Sequence, residues 1–316
     1  MPSKAFWIEA PGRGAIRETP TPEPGPGQTL IRARFSGISR GTESLVFNGG
    51  VPESLAAVMR CPFQEGEFPG PLKYGYSAVG ATDDGRRVFC LHPHQDVFVV
   101  PDDAVFTLPD GLPDRRAVLA ANMETAINAL WDSTVGVGDR IAVVGAGVVG
   151  CLVAFLCRRI PGTTVELIDI IETKAETAEA LGVAFRSPSR AEPECDVVFH
   201  ATGTAAGLQS ALDLAGFEAQ IVELSWYGTE PVSISLGEWF HPKRLTIRSS
   251  QVGHVSSTRR ARQSRSDRLA LALELLQEPA FDSLLTGSCR LDELPAVMPA
   301  LAASPQDTLC HVVEYD

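Results

Sequence analysis

Ile141-Ala-Val-Val-Gly145-Ala-Gly147-Val-Val-Gly150 carries an apolar run into three glycines spaced GxGxxG, and a second apolar run follows at once as far as Arg159. The pattern predicts a buried strand, a tight turn and a helix. The first glycine permits the turn, the second lets a pyrophosphate approach the backbone, and the third lets helix and strand pack closely. A helix that starts there aims unpaired N–H groups and its positive dipole end at a phosphate. Gly145, Gly147, Val148, Val149 and Gly150 are therefore expected at a dinucleotide. The next β-type run, Val165-Glu-Leu-Ile-Asp169, ends in an acid 19 residues past Gly150. A carboxylate at that point accepts hydrogen bonds from ribose hydroxyls and repels a 2′-phosphate, and Ile170 and Ile171 offer no arginine to hold one. The expected cofactor is NAD, with Asp169 capping the following helix at Glu172 as the alternative role.

Outward from this stretch the same period continues. Glu172–Leu181 reads as helix, Asp196–Ala201 as strand, Leu208–Ala215 as helix and Ala219–Leu224 as strand. Strands alternating with helices of this length form a parallel, doubly wound sheet. Thr202, Gly203 and Ser225 follow the last two strands, where such sheets bind ligands. His200, inside an apolar strand, reads as a core histidine with its hydrogen bonds satisfied. Before the glycine motif, Asp114–Trp131 has helical spacing. Residues 1 to about 115 alternate short β-type runs (Ala5–Glu9, Thr29–Phe35, Tyr76–Ala81, Arg87–Leu91, Asp96–Val100) with Pro/Gly turns, which predicts an irregular β-barrel. Beyond Gln251, a helix at Leu269–Leu276 and a β-type run at Leu309–Tyr315 are too little for a core of their own and are expected to return to the N-terminal domain. The fold expected is α/β, with one domain at 1–121 plus 251–316 and a nucleotide-binding domain at 122–250, sharing one cleft.

Composition narrows the class. With 39 acidic against 27 Lys and Arg residues, net charge −12 and pI near 5.0, the surface repels phosphate backbones and anionic lipid, so neither nucleic acid nor membrane is an expected partner. The basic run Arg259, Arg260, Arg262, Arg265 and Arg268 reads as a solvated loop entering a helix. Seven cysteines, an odd number scattered through apolar stretches without a CxxC, read as reduced core residues. No signal peptide or 20-residue apolar span is visible, so a cytoplasmic location is expected.

Together these features resemble the medium-chain dehydrogenase/reductase superfamily over essentially the whole chain: a GroES-like N-terminal domain, a central Rossmann domain and a C-terminal return. Phe35-Ser-Gly-Ile-Ser-Arg-Gly-Thr-Glu43 looks like the stretch in which Gly-Ile precedes the first catalytic zinc cysteine, and here that position is Ser39. Tyr74-Gly-Tyr-Ser-Ala-Val-Gly80 is similar to the Gly-His-Glu segment, with Tyr76 in place of the second zinc ligand. The third ligand falls near Ala121 or Asn122. Such a set leaves zinc essentially uncoordinated, and the four-cysteine loop of a structural zinc is missing, so no metal is expected. The Ser-Gly-Ile-Ser-x-Gly-Thr-Glu stretch is similar to a zinc-free branch that includes the hydroxyethyl-bacteriochlorophyllide dehydrogenase.

Without a Lewis acid, protein groups must polarise the substrate oxygen and carry the proton. Tyr76 could donate to a carbonyl oxygen or simply pack; Ser39 and Glu43 could form a relay or brace the loop. By the resemblance, His92 falls at a substrate-pocket position, and an imidazole at His92 or His94 titrates near neutral pH. The resemblance also places Glu124-Thr125 and Arg248–Gln251 beside the nicotinamide. Lys73 is a further donor or a solvated surface charge. The function expected is NAD(H)-dependent, zinc-independent hydride transfer between the nicotinamide and a small-molecule alcohol or carbonyl compound. The alternatives are reduction of an activated C=C bond and a non-catalytic NAD(H)-binding protein. A homodimer pairing through Pro231–Ser250 is the expected assembly.

Overall fold

In the computed structural model, which describes residues 2–303 and 308–316, the chain divides into two compact units, Asn122–Ala272 and Met1–Ala121 with Leu273–Asp316. In the first of these, six parallel strands lie in the order Ala184–Arg186, Thr164–Ile168, Arg140–Val144, Cys195–His200, Ala215–Glu223, Thr246–Ser249. The sheet grows outward from the strand that enters the glycine motif, with Val165 and Val197 opposite Ile141 on its two sides. Helices Val148–Arg158, Ala175–Ala180 and Ala205–Leu214 supply the crossovers. Ile141, Val143, Leu167, Val198, Phe199 and Ile221 are fully buried, as both faces of a doubly wound sheet require.

The second unit is mostly β. One sheet joins Leu285–Arg290, Cys310–Glu314, Gln28–Ile38, Ala78–Thr82, Arg87–Cys90 and Phe106–Thr107, with Val97–Pro101 also pairing Gln28–Ile38; a four-stranded sheet is built around Ser3–Ala10. Cys310–Glu314 lies antiparallel to Gln28–Ile38, His311 opposite Ile38. All seven cysteines are free and buried, and burial pushes the thiols of Cys61, Cys90, Cys151, Cys157 and Cys310 up to about 12, so they stay protonated. Among the described residues no helix is long and apolar enough to cross a membrane.

Several elements differ from the sequence expectation. The helix expected at Asp114–Trp131 is two, Asp114–Ala117 and Ala120–Asp132, and between them the Val118 carbonyl accepts the Ser77 hydroxyl. Glu172–Lys174 is a 3₁₀ turn before the helix Ala175–Ala180. Sequence reading passed over the strand Arg13–Thr19 and the helices Arg40–Phe47 and Leu294–Ala303. The return to the N-terminal unit comes at Leu273, not at residue 251. Residues 251–272 stay on the unit Asn122–Ala272, where Arg268 bonds Glu124, Asn128 and the Val252 carbonyl.

Arg268, read as part of a solvated basic run, is 1% exposed. Its guanidinium donates to Glu124 Oε1, Asn128 Oδ1 and the Val252 carbonyl. Lys73 is likewise buried, against Glu65 and Gln95. His92, expected to titrate near neutrality, is a core residue: its ring stacks on Phe98 at 3.7 Å between centroids, and Nδ1–H donates to the Pro93 carbonyl at 2.9 Å. Burial, with Lys73 nearby, pushes its imidazole down to about 3.

Two outcomes follow. Burial raises the Glu124 carboxyl, and Arg268 opposes that shift, so Arg268→Met should destabilise the protein by about 3–5 kcal/mol in urea unfolding, with part recovered in the Arg268→Met/Glu124→Gln double variant. A loss under about 1 kcal/mol rejects the buried pair. For His92, whose folded value lies below the ordinary 6.5, stability is intact above pH 6.5 and drains away as pH falls from 6.5 toward 3, because only the unfolded chain takes up the proton. Comparing unfolding at pH 7 and pH 5, His92→Phe should remove about 2 kcal/mol of acid-induced loss; equal losses in both proteins overturn the assignment.

Candidate active site

The glycine motif has the local geometry of a phosphate-binding turn. Gly145 adopts φ +111°, and a Cβ there would sit 2.9 Å from the Ala201 carbonyl, so only glycine serves. A side chain at Gly150 would overlap the Gly145 carbonyl, whereas the space above Gly147 is open. The helix begins at Val148, and Val148 and Val149 are half-buried in its first turn. Asp169 stands beside the loop: Oδ2 accepts the Ala146 amide at 2.8 Å and pairs with Lys174 Nζ at 2.9 Å, while Oδ1 accepts the Ile171 amide at 3.0 Å. The carboxylate both ties down the glycine turn and starts the next one. Sequence reading missed Lys174, having looked for a cation only at the two positions after Asp169. Nearby, Glu172, Ala175, Phe185, Arg186, Ser187 and Arg190 line an open depression.

At the carboxyl ends of the next two strands, Thr202, Gly203 and Ser225 are brought together: the Gly203 amide donates to Ser225 Oγ at 3.0 Å. Beneath them His200 is fully buried with both ring nitrogens engaged, Nδ1 to Glu223 Oε2 at 2.8 Å and Nε2 to Thr202 Oγ1 at 2.6 Å. Tyr227 donates to the same carboxylate at 2.9 Å. Burial works to raise the Glu223 carboxyl, yet the bonds from His200 and Ser225 prevail and hold it below its ordinary value. Thr125 is half-buried on Ala120–Asp132; Glu124 is committed to Arg268, and Arg248 pairs with Asp132 at 2.8 Å.

In the N-terminal unit, Ser39, Glu43, Tyr76 and His94 form one network. Ser39 precedes the helix Arg40–Phe47, and its amide donates to Glu43 Oε1 at 2.7 Å. Glu43 Oε2 meets His94 Nε2 at 2.8 Å, His94 Nδ1 meets Ser36 Oγ at 2.7 Å, and Ser36 meets the Tyr315 hydroxyl at 2.8 Å. Tyr76 hydrogen-bonds the Ser39 and Thr42 hydroxyls; burial, first, and the Glu43 charge push its acidity well below that of free phenol. Glu43 and His94 are 4% and 2% exposed, whereas Tyr76 is partly exposed. His92 stands outside the network, its Nδ1 spent on Pro93. Ser36 lies inside the Phe35–Glu43 stretch, but nothing in the sequence joined it to His94 or Tyr315.

Comparison with known proteins adds the wider context. No family model matches the chain. It is 25% identical to an uncharacterized zinc-type alcohol dehydrogenase-like protein of Haemophilus influenzae over 97% of each chain, and 27% identical to the (R,R)-butanediol dehydrogenase of Bacillus subtilis over 88% of this chain and 90% of that one. Among solved structures, the 2R,3R-butanediol dehydrogenase of Bacillus subtilis superposes with TM-score 0.80 at 19% identity, covering 99% of this chain and all of that one. A putative zinc-binding dehydrogenase of Sinorhizobium meliloti bound to NADP gives 0.79 at 21%, and an Escherichia coli short chain alcohol dehydrogenase complexed with NADH gives 0.78 at 16%, each covering 99% of both chains. The chain thus has a GroES-like plus Rossmann α/β fold, and its sequence is similar over most of its length to alcohol dehydrogenase-like proteins.

Proposed function

We propose that this chain is an NAD(H)-dependent, zinc-independent oxidoreductase acting on a small secondary alcohol and its ketone. The observation that carries the reading is the glycine turn with Asp169 bonded across it: open backbone above Gly147 for a pyrophosphate and a carboxylate for the adenosine ribose. Gly145, Gly147 and Gly150 with the first turn at Val148 and Val149 would hold the pyrophosphate, and the loops at Thr202, Gly203 and Ser225 the far half of the dinucleotide, with Thr125 as a further contact. When bound, the nicotinamide supplies the hydride acceptor or donor. The relatives' names motivate the substrate class, since butanediol bears its hydroxyls on secondary carbons.

Zinc independence rests on donor chemistry. Ser39 and Tyr76 offer neutral hydroxyls where zinc needs thiolate, imidazole or carboxylate, and the Tyr76 phenol resists ionisation. Among the described residues no group of three or more His, Cys, Asp or Glu is placed to hold a metal ion. Tyr76, kept protonated and partly exposed, is suited to polarise a carbonyl oxygen by a hydrogen bond in which the phenol keeps its proton. Glu43 and His94, both buried, act through Ser39 by fixing the segment that carries it. The relatives named for zinc make this the point to test. The reading includes a cytoplasmic homodimer: Thr246–Ser249 is the outer strand of its sheet, and Leu236 and Trp239 nearby are 45% and 60% exposed.

Fluorescence titration should show NADH binding at least tenfold tighter than NADPH, with that preference lost in Asp169→Ala; a preference for NADPH overturns the NAD assignment. Elemental analysis of active protein should find substoichiometric zinc, and chelation should leave turnover unchanged, whereas one firmly held zinc per chain overturns metal independence. In sedimentation, Trp239→Ser should weaken a dimer, and a monomeric parent protein refutes the assembly.

A further inference from the structure

His200 and Glu223 stand opposite each other on adjacent parallel strands, at the ends from which Thr202 and Ser225 emerge. Burying an imidazole and a carboxylate side by side at the end of the sheet costs free energy that a Val–Leu pair would not. The arrangement is directional. Glu223 accepts from His200 Nδ1, from the Ser225 amide at 2.6 Å and from Tyr227 at 2.9 Å, so the carboxylate is saturated and the ring orientation is set. On the other side of the ring, Nε2 faces Thr202 Oγ1 at 2.6 Å, and Thr202 is exposed. Room for this contact depends on Gly207, where a side chain would overlap both Thr202 Oγ1 and the imidazole edge. The groups facing the ring are Glu223, Tyr227, Ser225 and Thr202, of which only Glu223 carries charge.

A hydroxyl, an imidazole and a carboxylate in this order form a chain that can take a proton from outside and hold it inside. With Nδ1–H donated to Glu223, Nε2 has a free lone pair and Thr202 is the donor to it. Acyl transfer would need oxyanion donors as well. The nearest amides are committed, Gly203 to Ser225 Oγ and Thr204 to Thr202 Oγ1, so the hydroxyl is better placed to exchange a proton than to attack a carbonyl.

We propose that Thr202, backed by His200 and Glu223, is the proton acceptor for a ligand hydroxyl during alcohol oxidation. This rests on the dehydrogenase reading above and supplies the proton's destination, which that reading leaves open. With a bound nicotinamide to take the carbinol hydrogen and its two electrons, the ligand O–H proton would pass to Thr202 Oγ1. Thr202's own proton passes to His200 Nε2. The resulting imidazolium is held by the Glu223 carboxylate and later releases its proton to water through the same hydroxyl, closing the cycle. The ligand hydroxyl is either the alcohol's own or a ribose hydroxyl of the cofactor relaying for it. Thr202 is the residue that touches the ligand, and His200 and Glu223 act through it.

The experiment uses the full chain with NAD+ and short secondary alcohols beginning with (R,R)-2,3-butanediol. Thr202→Val should lower kcat/KM by about 100-fold, the size of a lost acid–base contribution. Thr202→Ser should restore it to within about threefold of the parent, since the hydroxyl is what matters. His200→Gln should abolish the acid-side limb of the kcat/KM–pH profile. Independently of turnover, 15N spectra of the cofactor-free protein should show the His200 ring protonated at Nδ1 and bare at Nε2. NADH titration separates the two hydroxyls: Thr202→Val weakens NADH binding if the ribose is the partner and leaves it intact if the alcohol is. Full activity in Thr202→Val, an acid limb unchanged in folded His200→Gln, or a proton on Nε2 of neutral His200 overturns the relay alone. A parent protein that oxidises none of the alcohols overturns the dehydrogenase reading, and the relay with it.

Discussion

Helix Val148–Arg158 meets the strand Arg140–Val144 so closely that a single methyl at Gly150 would run into the Gly145 carbonyl. This steric limit sets where the helix starts, and so where its free amides point. The parallel sheet registers on the same strand from both sides, which places the ends of Thr164–Ile168 and Cys195–His200 flush with the turn. Asp169 and Thr202 owe their positions to that register. A carboxylate one residue earlier on its strand would face the helix layer, not the turn, because side chains alternate along a strand.

The parts of the fold legible in sequence were those whose signal is local. Arg140–Val144 and the helix from Val148 were read almost to the residue because a buried parallel strand and a glycine turn each leave a dense pattern. Arg13–Thr19, with glycine, arginine and glutamate interleaved, leaves none, and neither does the short outer strand Ala184–Arg186. Their strand character comes from partners already in place. The same divide runs through the site. The glycine turn and the acid that follows it were picked out by spacing, whereas the network joining Ser39, Glu43 and His94 to Ser36 and Tyr315 links positions up to 279 residues apart, which no local pattern encodes.

Charged residues were the systematic source of misreading. Lys73 and Arg268 look like surface groups in any window, yet each is buried because a counter-charge from elsewhere meets it. Their desolvation is offset only while that partner is present, a carboxylate 144 residues away for Arg268 and one eight residues away for Lys73. His200 was correctly read as a core residue with satisfied hydrogen bonds. What the sequence did not reveal is that its partners are a carboxylate on the neighbouring strand and a hydroxyl that reaches the surface.

The pairing of Cys310–Glu314 with Gln28–Ile38 has a bearing on biosynthesis. The unit Asn122–Ala272 is one uninterrupted segment, complete when Ala272 has been made. The β unit must wait for its last strand, so through most of translation Gln28–Ile38 offers bare backbone donors and acceptors along the side that Cys310–Glu314 will occupy. An open strand edge is a template for other chains. The order of synthesis therefore leaves the earlier-made unit as the later one to mature, with the Rossmann segment already folded while the N-terminal sheet is still unsealed.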